Sequence, residues 1–119
     1  DRFHAHGVTC SLATNNVLNP FTPFGDASLL RMANLYANIA QLGRPKDLDD
    51  CLDMVTASAA RLLNLRNYGI AVGNSADLIV VPSVRGGDAI AEIARPILGL
   101  KRGRRSFVNA PGRLLSPTP

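Results

Sequence analysis

The chain has 119 residues, 46% hydrophobic and 18% charged, with no tryptophan and a formal net charge of +4. That composition suits one modest globular domain with a small core and excludes the polar, highly charged signature of disorder. No apolar run approaches the roughly 18 residues that a membrane-crossing helix needs, so no membrane partner is expected. The opening Asp1-Arg2-Phe3-His4-Ala5-His6-Gly7 has neither a basic region followed by an apolar stretch nor an initiator methionine. No secretory signal is expected there; a cytoplasmic location is, and so is further chain upstream.

Cys10 and Cys51 are the only cysteines, at a spacing that fits no zinc or redox motif; two buried free thiols are expected. The positive charge concentrates at Lys101, Arg102, Arg104 and Arg105, with Arg113 nearby. No aromatic residues alternate with these cations and no nucleic-acid motif accompanies them, so a solvated turn is expected and no nucleic-acid partner.

In chain order, Val8 to Ala13 is an uncharged β-prone run, which predicts a strand buried in a parallel sheet. Residues Thr14 to Gly25, rich in asparagine and proline, predict a loop. Asp26 is the expected N-cap of a helix from Ala27 to about Leu42, whose apolar face is Leu29, Met32, Ala33, Tyr36, Ala37 and Ala40, closed by Gly43. The connection Gly43-Arg44-Pro45-Lys46 leads to a second helix, Asp47 to about Asn64, packed beside the first. Asp47 is its expected cap, and Leu48, Cys51, Leu52, Val55, Ala59, Leu62 and Leu63 its buried stripe. Glycine-punctuated turns over 68–77 lead into a strand at Leu78 to Val81 that stops at Pro82. A short helix is predicted at Ala89 to Ala94, before Pro96. A hairpin follows, Ile97 to Leu100 with Ser106 to Val108, around the basic turn, and then a proline-rich tail from Pro111 to Pro119. Gly69, Gly73 and Gly86-Gly87 are read as turns, because no strand–Gly-x-Gly-x-x-Gly–helix unit surrounds them.

Three of these stretches resemble the C-terminal part of cytosine deaminase-like amidohydrolases. Asn15-Asn16-Val17-Leu18-Asn19-Pro20-Phe21-Thr22-Pro23-Phe24-Gly25 is similar to the family loop Asp-Asp-x-x-Asp-Pro-Trp-x-Pro-x-Gly. Met54 to Leu65 resembles the family helix with its Thr-x-x-x-Ala-Arg pattern, here Thr56 to Arg61. Tyr68 to Val80 looks like the segment that leaves the catalytic barrel and enters a small β domain. The resemblance spans nearly the whole chain, in family order.

What the resemblance implies is an α+β fragment: the final strand and helices of an amidohydrolase (β/α)8 barrel, then the C-terminal part of a small composite β domain. Residues 1–66 would close the barrel, 67–110 would belong to the β domain, and 111–119 would form a flexible tail. The implied chemistry is metal-dependent hydrolysis of non-peptide C–N bonds, namely deamination of a cyclic nitrogenous substrate, with zinc or iron supplying hydroxide. Thr14, Asn15 and Asn16 would lie at the site rim, since barrel sites sit at strand C-termini.

Asn15 takes the place of the family's metal-binding, proton-shuttling aspartate, so it is the candidate catalytic position. Asn16 and Phe21, at an aspartate and a tryptophan position, are candidate substrate contacts. Asparagine cannot take up a proton near neutral pH. Alternatively, both asparagines only shape a loop, and Phe21 either stacks on a flat ring or fills the loop's core.

The family's histidine ligands come from earlier strands. His4-Ala5-His6 precedes an apolar run instead of ending one, and helical i and i+2 side chains diverge, so no metal ligand and no bound cofactor is expected within the chain itself. The His-x-Glu and Pro-Cys-x-x-Cys signatures of the zinc nucleoside deaminases are lacking. The expected partners are the missing N-terminal part of a parent enzyme and, through an unpaired apolar strand, a second copy of the chain. The chain alone would be inactive. The alternative from another class is a stand-alone helical assembly or binding module without catalysis.

Overall fold

The computed structural model describes residues 2–112 and Leu115, without the side chains of Arg2 and His4. Arg113 and most of the predicted tail therefore lie outside the described residues. In chain order the elements are α1 (Arg2–Ala5), α2 (Leu29–Ile39), α3 (Pro45–Met54), α4 (Ala57–Leu62), β1 (Leu78–Val80), α5 (Gly86–Ala91), β2 (Leu98–Lys101) and β3 (Arg104–Val108).

Helix α2 starts later than the sequence predicts. Ser28 is the N-cap, its Oγ accepting from Arg31 N at 3.3 Å. Asp26 instead accepts from Ser28 N at 3.1 Å and pairs with Arg31 at 3.2 Å. Ala27 stands at a φ of 58°, which a helix start at that residue does not allow. Leu30, Ala33 and Ala37 are buried, while Leu29 and Ala40, expected on the buried face, are exposed.

The single helix expected over 47–64 is two. Pro45 opens α3 at the first helical position, where a missing N–H costs nothing. Asp47 is not the cap but the third helical residue. Its carboxylate accepts from Arg44 N at 3.2 Å and from the Arg44 guanidinium at 2.9 and 3.0 Å, which holds its pKa below the ordinary carboxylate value. The break falls at Val55-Thr56, a β-branched pair with little helix preference. Thr56 leaves helical geometry at φ −131°, ψ −98°, and its Oγ1 donates back to Leu52 O at 2.7 Å. The new direction buries Ser58 and Ala60 and leaves Leu62 and Leu63 exposed, contrary to the predicted stripe; Met54, at the end of α3, is buried as well.

The core lies among α2, α3 and α5: Leu30, Ala33, Ala37, Cys51, Val55 and Ile90, with Tyr36, Leu48 and Leu52 packed against it. Helix α5 begins one turn earlier than predicted because Gly86-Gly87 start a helix instead of a turn. Side chains there would collide with α3: a Cβ on Gly86 would lie 2.4 Å from Leu52 Cδ2, and one on Gly87 3.1 Å from Leu48 Cβ. Both ends of α5 are held by side chains from its neighbours. Asp49 Oδ1 accepts from Gly87 N at 3.0 Å, and Asn34 Nδ2 donates to Ile90 O at 2.9 Å.

The three strands form one antiparallel sheet, ordered β1-β2-β3. Leu78 pairs with Leu100 and Val80 with Leu98; Leu98 pairs with Val108 and Lys101 with Arg104. The predicted hairpin is present, with β2 shifted by one residue and β3 starting two residues earlier and ending at Val108 as expected. Its two-residue turn, Arg102-Gly103, has φ of 50° and 75°, the mirror-image turn that matches strand twist. Asp77 clamps it, accepting from Lys101 Nζ and from Arg102 N at 2.7 Å.

Val8 to Ala13 is not a strand among the described residues. A parallel strand takes its hydrogen bonds from neighbours, and the three strands present pair only with one another. The segment is anchored instead by Leu12 N donating to Met54 O at 3.0 Å, with Leu12 against the helical core.

Candidate functional site

The loop over residues 14–25 gathers all three candidate residues, and one carboxamide organises it. Asn19 Nδ2 donates to Asn16 Oδ1 at 2.7 Å. Asn19 Oδ1 accepts from Phe21 N and from Thr22 N, each at 3.0 Å. The backbones of Asn19 and Thr22 also exchange hydrogen bonds of 3.0 and 3.1 Å. Upstream, Thr14 Oγ1 donates to Asn16 O at 2.9 Å. Leu18 takes a left-handed φ of 51°, a conformation that persists only where its surroundings hold it.

Asn15 is exposed, and its side chain makes no hydrogen bond among the described residues. Asn16 is half-buried and does shape the loop, through Asn19. Phe21 is 87% exposed, so it does not fill the loop's interior. Sequence reasoning passed over Asn19, treating it as one loop marker among several. The available signal was Asn-Pro before an aromatic, since asparagine habitually bonds backbone N–H groups two and three residues on.

Among the described residues, hollows also lie outside this loop. One, of about 230 Å³, is bordered by Tyr36, Cys51, Met54, Arg44, Asp47 and Asp50. Its charges are spent on each other, with Arg44–Asp47 at 2.9 Å and Lys46–Asp50 at 2.8 Å. Burial raises the pKa of the Cys51 thiol, which keeps it protonated and unreactive. Burial likewise raises that of the Tyr36 phenol. Cys51 is 1% exposed, whereas Cys10, expected buried, is half-buried; both are free. Another hollow, about 260 Å³, lies between residues 7–10 and Ser58 with Arg61, whose guanidinium donates to Ser58 Oγ at 2.8 Å.

Among the described residues no three His, Cys, Asp or Glu side chains converge on a point that would hold a metal. His6 is exposed in the turn after α1, and the side chain of His4 lies outside the described residues. Asn15 offers one neutral amide oxygen, a weak ligand for a dication. These residues do not by themselves fit a divalent metal. No described helix is long and apolar enough to cross a membrane.

Packed helices and a small antiparallel sheet, with an Asn-Pro loop between α1 and α2, make an α+β unit. The amidohydrolase family model matches residues 2–106, and the chain belongs to that family. It is 32% identical over 99 residues to N-isopropylammelide isopropyl amidohydrolase of Pseudomonas sp. (strain ADP), a match covering 82% of this chain and 25% of that protein. It is 30% identical over 101 residues to a pterin deaminase of Rhizobium rhizogenes, covering 84% of this chain and 23% of that one. The crystal structure of 5-methylcytosine deaminase from Klebsiella pneumoniae, liganded with phosphonocytosine, superposes with a TM-score of 0.88 at 26% identity. That superposition covers 98% of this chain and 28% of the deaminase. The chain thus spans about a quarter of the length of the curated relatives it matches.

Proposed function

We propose that this chain is the closing quarter of a hydrolase that cleaves a non-peptide C–N bond of a cyclic nitrogenous substrate, in the manner of the cytosine deaminase-like enzymes. The observation that carries the proposal is the near-complete superposition of this chain on about a quarter of a ring-deaminating enzyme. The names of the relatives point the same way, since ammelides, pterins and cytosines are all flat nitrogen heterocycles. In this reading residues 1–66 close a (β/α)8 barrel, Val8 to Ala13 gain strand partners from the rest of the enzyme, and 67–110 belong to a small β domain. The loop at 14–25 then borders the substrate. The exposed ring of Phe21 offers a face for stacking, and Asn15 and Asn16 offer amide donors and acceptors. Proton transfer falls to groups outside this chain, because neither asparagine takes up a proton near neutral pH. The chain alone would not turn over substrate.

The test is to express the segment with its upstream sequence and measure ammonia or amine release from N-isopropylammelide, pterin and 5-methylcytosine. Release from at least one is expected with the long polypeptide and none with the 119-residue chain. A folded, metal-replete long polypeptide that cleaves no ring amine defeats the proposal. A second reading, a non-catalytic assembly module, draws on the many exposed apolar side chains, Leu62, Leu63, Ile70 and Val72 among them. It would gain if the gene starts just before Asp1.

A further inference from the structure

We infer that Asn19 is a positioning residue that sets the hydrogen-bond polarity of Asn16, making Asn16 a donor toward the substrate ring; the inference rests on the hydrolase reading above. The backbone N–H groups of Phe21 and Thr22 can only donate, and both meet the same atom of Asn19 at 3.0 Å. That atom must be the carbonyl oxygen, because an NH2 group there would face two donors. The amide nitrogen of Asn19 therefore points the other way, to within 2.7 Å of Asn16. It can only donate, so Asn16 turns its own oxygen inward to accept. The NH2 group of Asn16 lies on the other side of that carboxamide from Asn19, without a hydrogen-bond partner among the described residues. Two backbone amides thus dictate, through one side chain, that the half-buried Asn16 presents donors.

The consequence is a preference among rings. A ring edge carrying a carbonyl oxygen or an unprotonated ring nitrogen satisfies an outward NH2, whereas an edge carrying an amino group opposes it. Sites built around one polarity discriminate strongly, because the wrong partner leaves buried groups unpaired.

Asn19→Asp separates the two jobs of this side chain. A carboxylate still accepts from Phe21 N and Thr22 N, so the loop keeps its shape, but it can no longer donate to Asn16. Asn16 must then flip, giving its NH2 to residue 19 and turning its oxygen outward. Asn19→Ala removes both functions. The probes are cytosine and isocytosine, which exchange their amino and carbonyl positions, with binding to the full-length hydrolase measured by calorimetry. Hydrogen exchange over residues 17–24 reports the loop independently.

The expected result is unchanged loop exchange in Asn19→Asp, with the ratio of the two dissociation constants shifted by about tenfold or more. Asn19→Ala is expected to exchange about tenfold faster at Phe21, whose N–H has no acceptor besides Asn19 Oδ1 among the described residues, and to weaken both ligands. An Asn19→Asp ratio equal to wild type overturns the inference, and so does unaltered exchange in Asn19→Ala. Wild type that binds neither ring overturns the donor role of Asn16, whereas the hydrolase reading fails only if the full-length protein cleaves no ring amine.

Discussion

Asn15 stands where the resemblance places an aspartate, and its exposed carboxamide is tied to nothing that would resist a change. Replacing an amide by a carboxylate there adds a group able to take up a proton, and a well-placed general base contributes about 10²- to 10⁴-fold to rate. Under the proposed function, Asn15→Asp in the full-length protein is therefore expected to raise kcat by about a hundredfold and to add an acidic limb to the pH profile. An unchanged kcat in a folded protein would mean that the proton moves without this position. Asp77 carries the other prediction at this scale. Its bond from Lys101, and next the one from Arg102 N, hold its carboxyl below the ordinary carboxylate value. A folded pKa below the unfolded one contributes stability that is complete above about pH 4 and is lost as pH falls through the folded value. The hairpin should therefore loosen in acid. Asp77→Asn should loosen it at neutral pH as well and flatten the acid dependence, with amide exchange at Gly103 as the readout. Gly103 N donates to Ala76 O at 3.1 Å in the intact turn, so its protection follows the clamp directly.

Helix ends show a shared device that no glycine announces. In α2, α4 and α5 the second residue past the last helical one is left-handed: Gln41, Asn64 and Ile93, with φ of 54°, 55° and 50°. Each is followed by a residue whose N–H reaches back to the last turn, Leu42 to Ala37, Leu65 to Ala60 and Ala94 to Ala89, at 2.8 to 3.0 Å. This closure usually employs glycine, since a Cβ in that conformation is unfavourable. Gln41 is exposed, so Gln41→Gly should stabilise the protein by about 0.5–1 kcal/mol, read as a higher midpoint in urea. Gly87→Ala tests the opposite case. Helix propensity favours alanine by about 0.5–1 kcal/mol. The new Cβ, however, would lie 2.9 Å from Asp49 Oδ1 and 3.1 Å from Leu48 Cβ, displacing the bond that caps α5. Overpacking costs about 1–3 kcal/mol, so the sum should be destabilising. These cases also mark what the sequence could convey. The paired helices, the strand at Leu78 and the hairpin around Arg102-Gly103 were legible from periodicity and turn chemistry. Gly86-Gly87 were misread because their reason is the closeness of α3, which lies almost forty positions away in the chain. The split at Thr56 and the cap at Ser28 depend on single competing hydrogen bonds, which periodicity does not encode. At the site the loop was legible; the exposure of Phe21 and the role of Asn19 as hub were not, because the bonds that settle them belong to the folded loop.

At the scale of the whole molecule, the surface is too large for the mass. A monomeric protein of 12.7 kDa exposes about 6200 Å², whereas this chain exposes 9352 Å². Its radius of gyration, 16.2 Å, likewise exceeds the roughly 13.5 Å of a compact domain of this length. Many large apolar side chains are exposed. Leu62, Leu63, Leu65, Tyr68, Ile70 and Val72 follow one another along α4 and the turns after it, all exposed. Typical monomers keep contiguous apolar patches to a few hundred Å², and a standard interface covers about 800 Å² per partner. Under the proposed function such a surface is covered by the rest of the hydrolase. Without it the hydrophobic effect drives like surfaces together, at about 25 cal/mol for each Å² removed from water. The 119-residue chain is therefore expected to show an apparent mass in light scattering that rises with concentration and to bind an apolar dye. Replacing Leu62, Leu63 and Ile70 together by serine should reduce both signals, since none of the three lies in the helical core. The same triple change in the full-length hydrolase should destabilise it, because there the three side chains would be covered. A chain that stays monomeric and dye-free over a hundredfold concentration range, together with a full-length protein indifferent to the substitutions, would show that this face needs no partner.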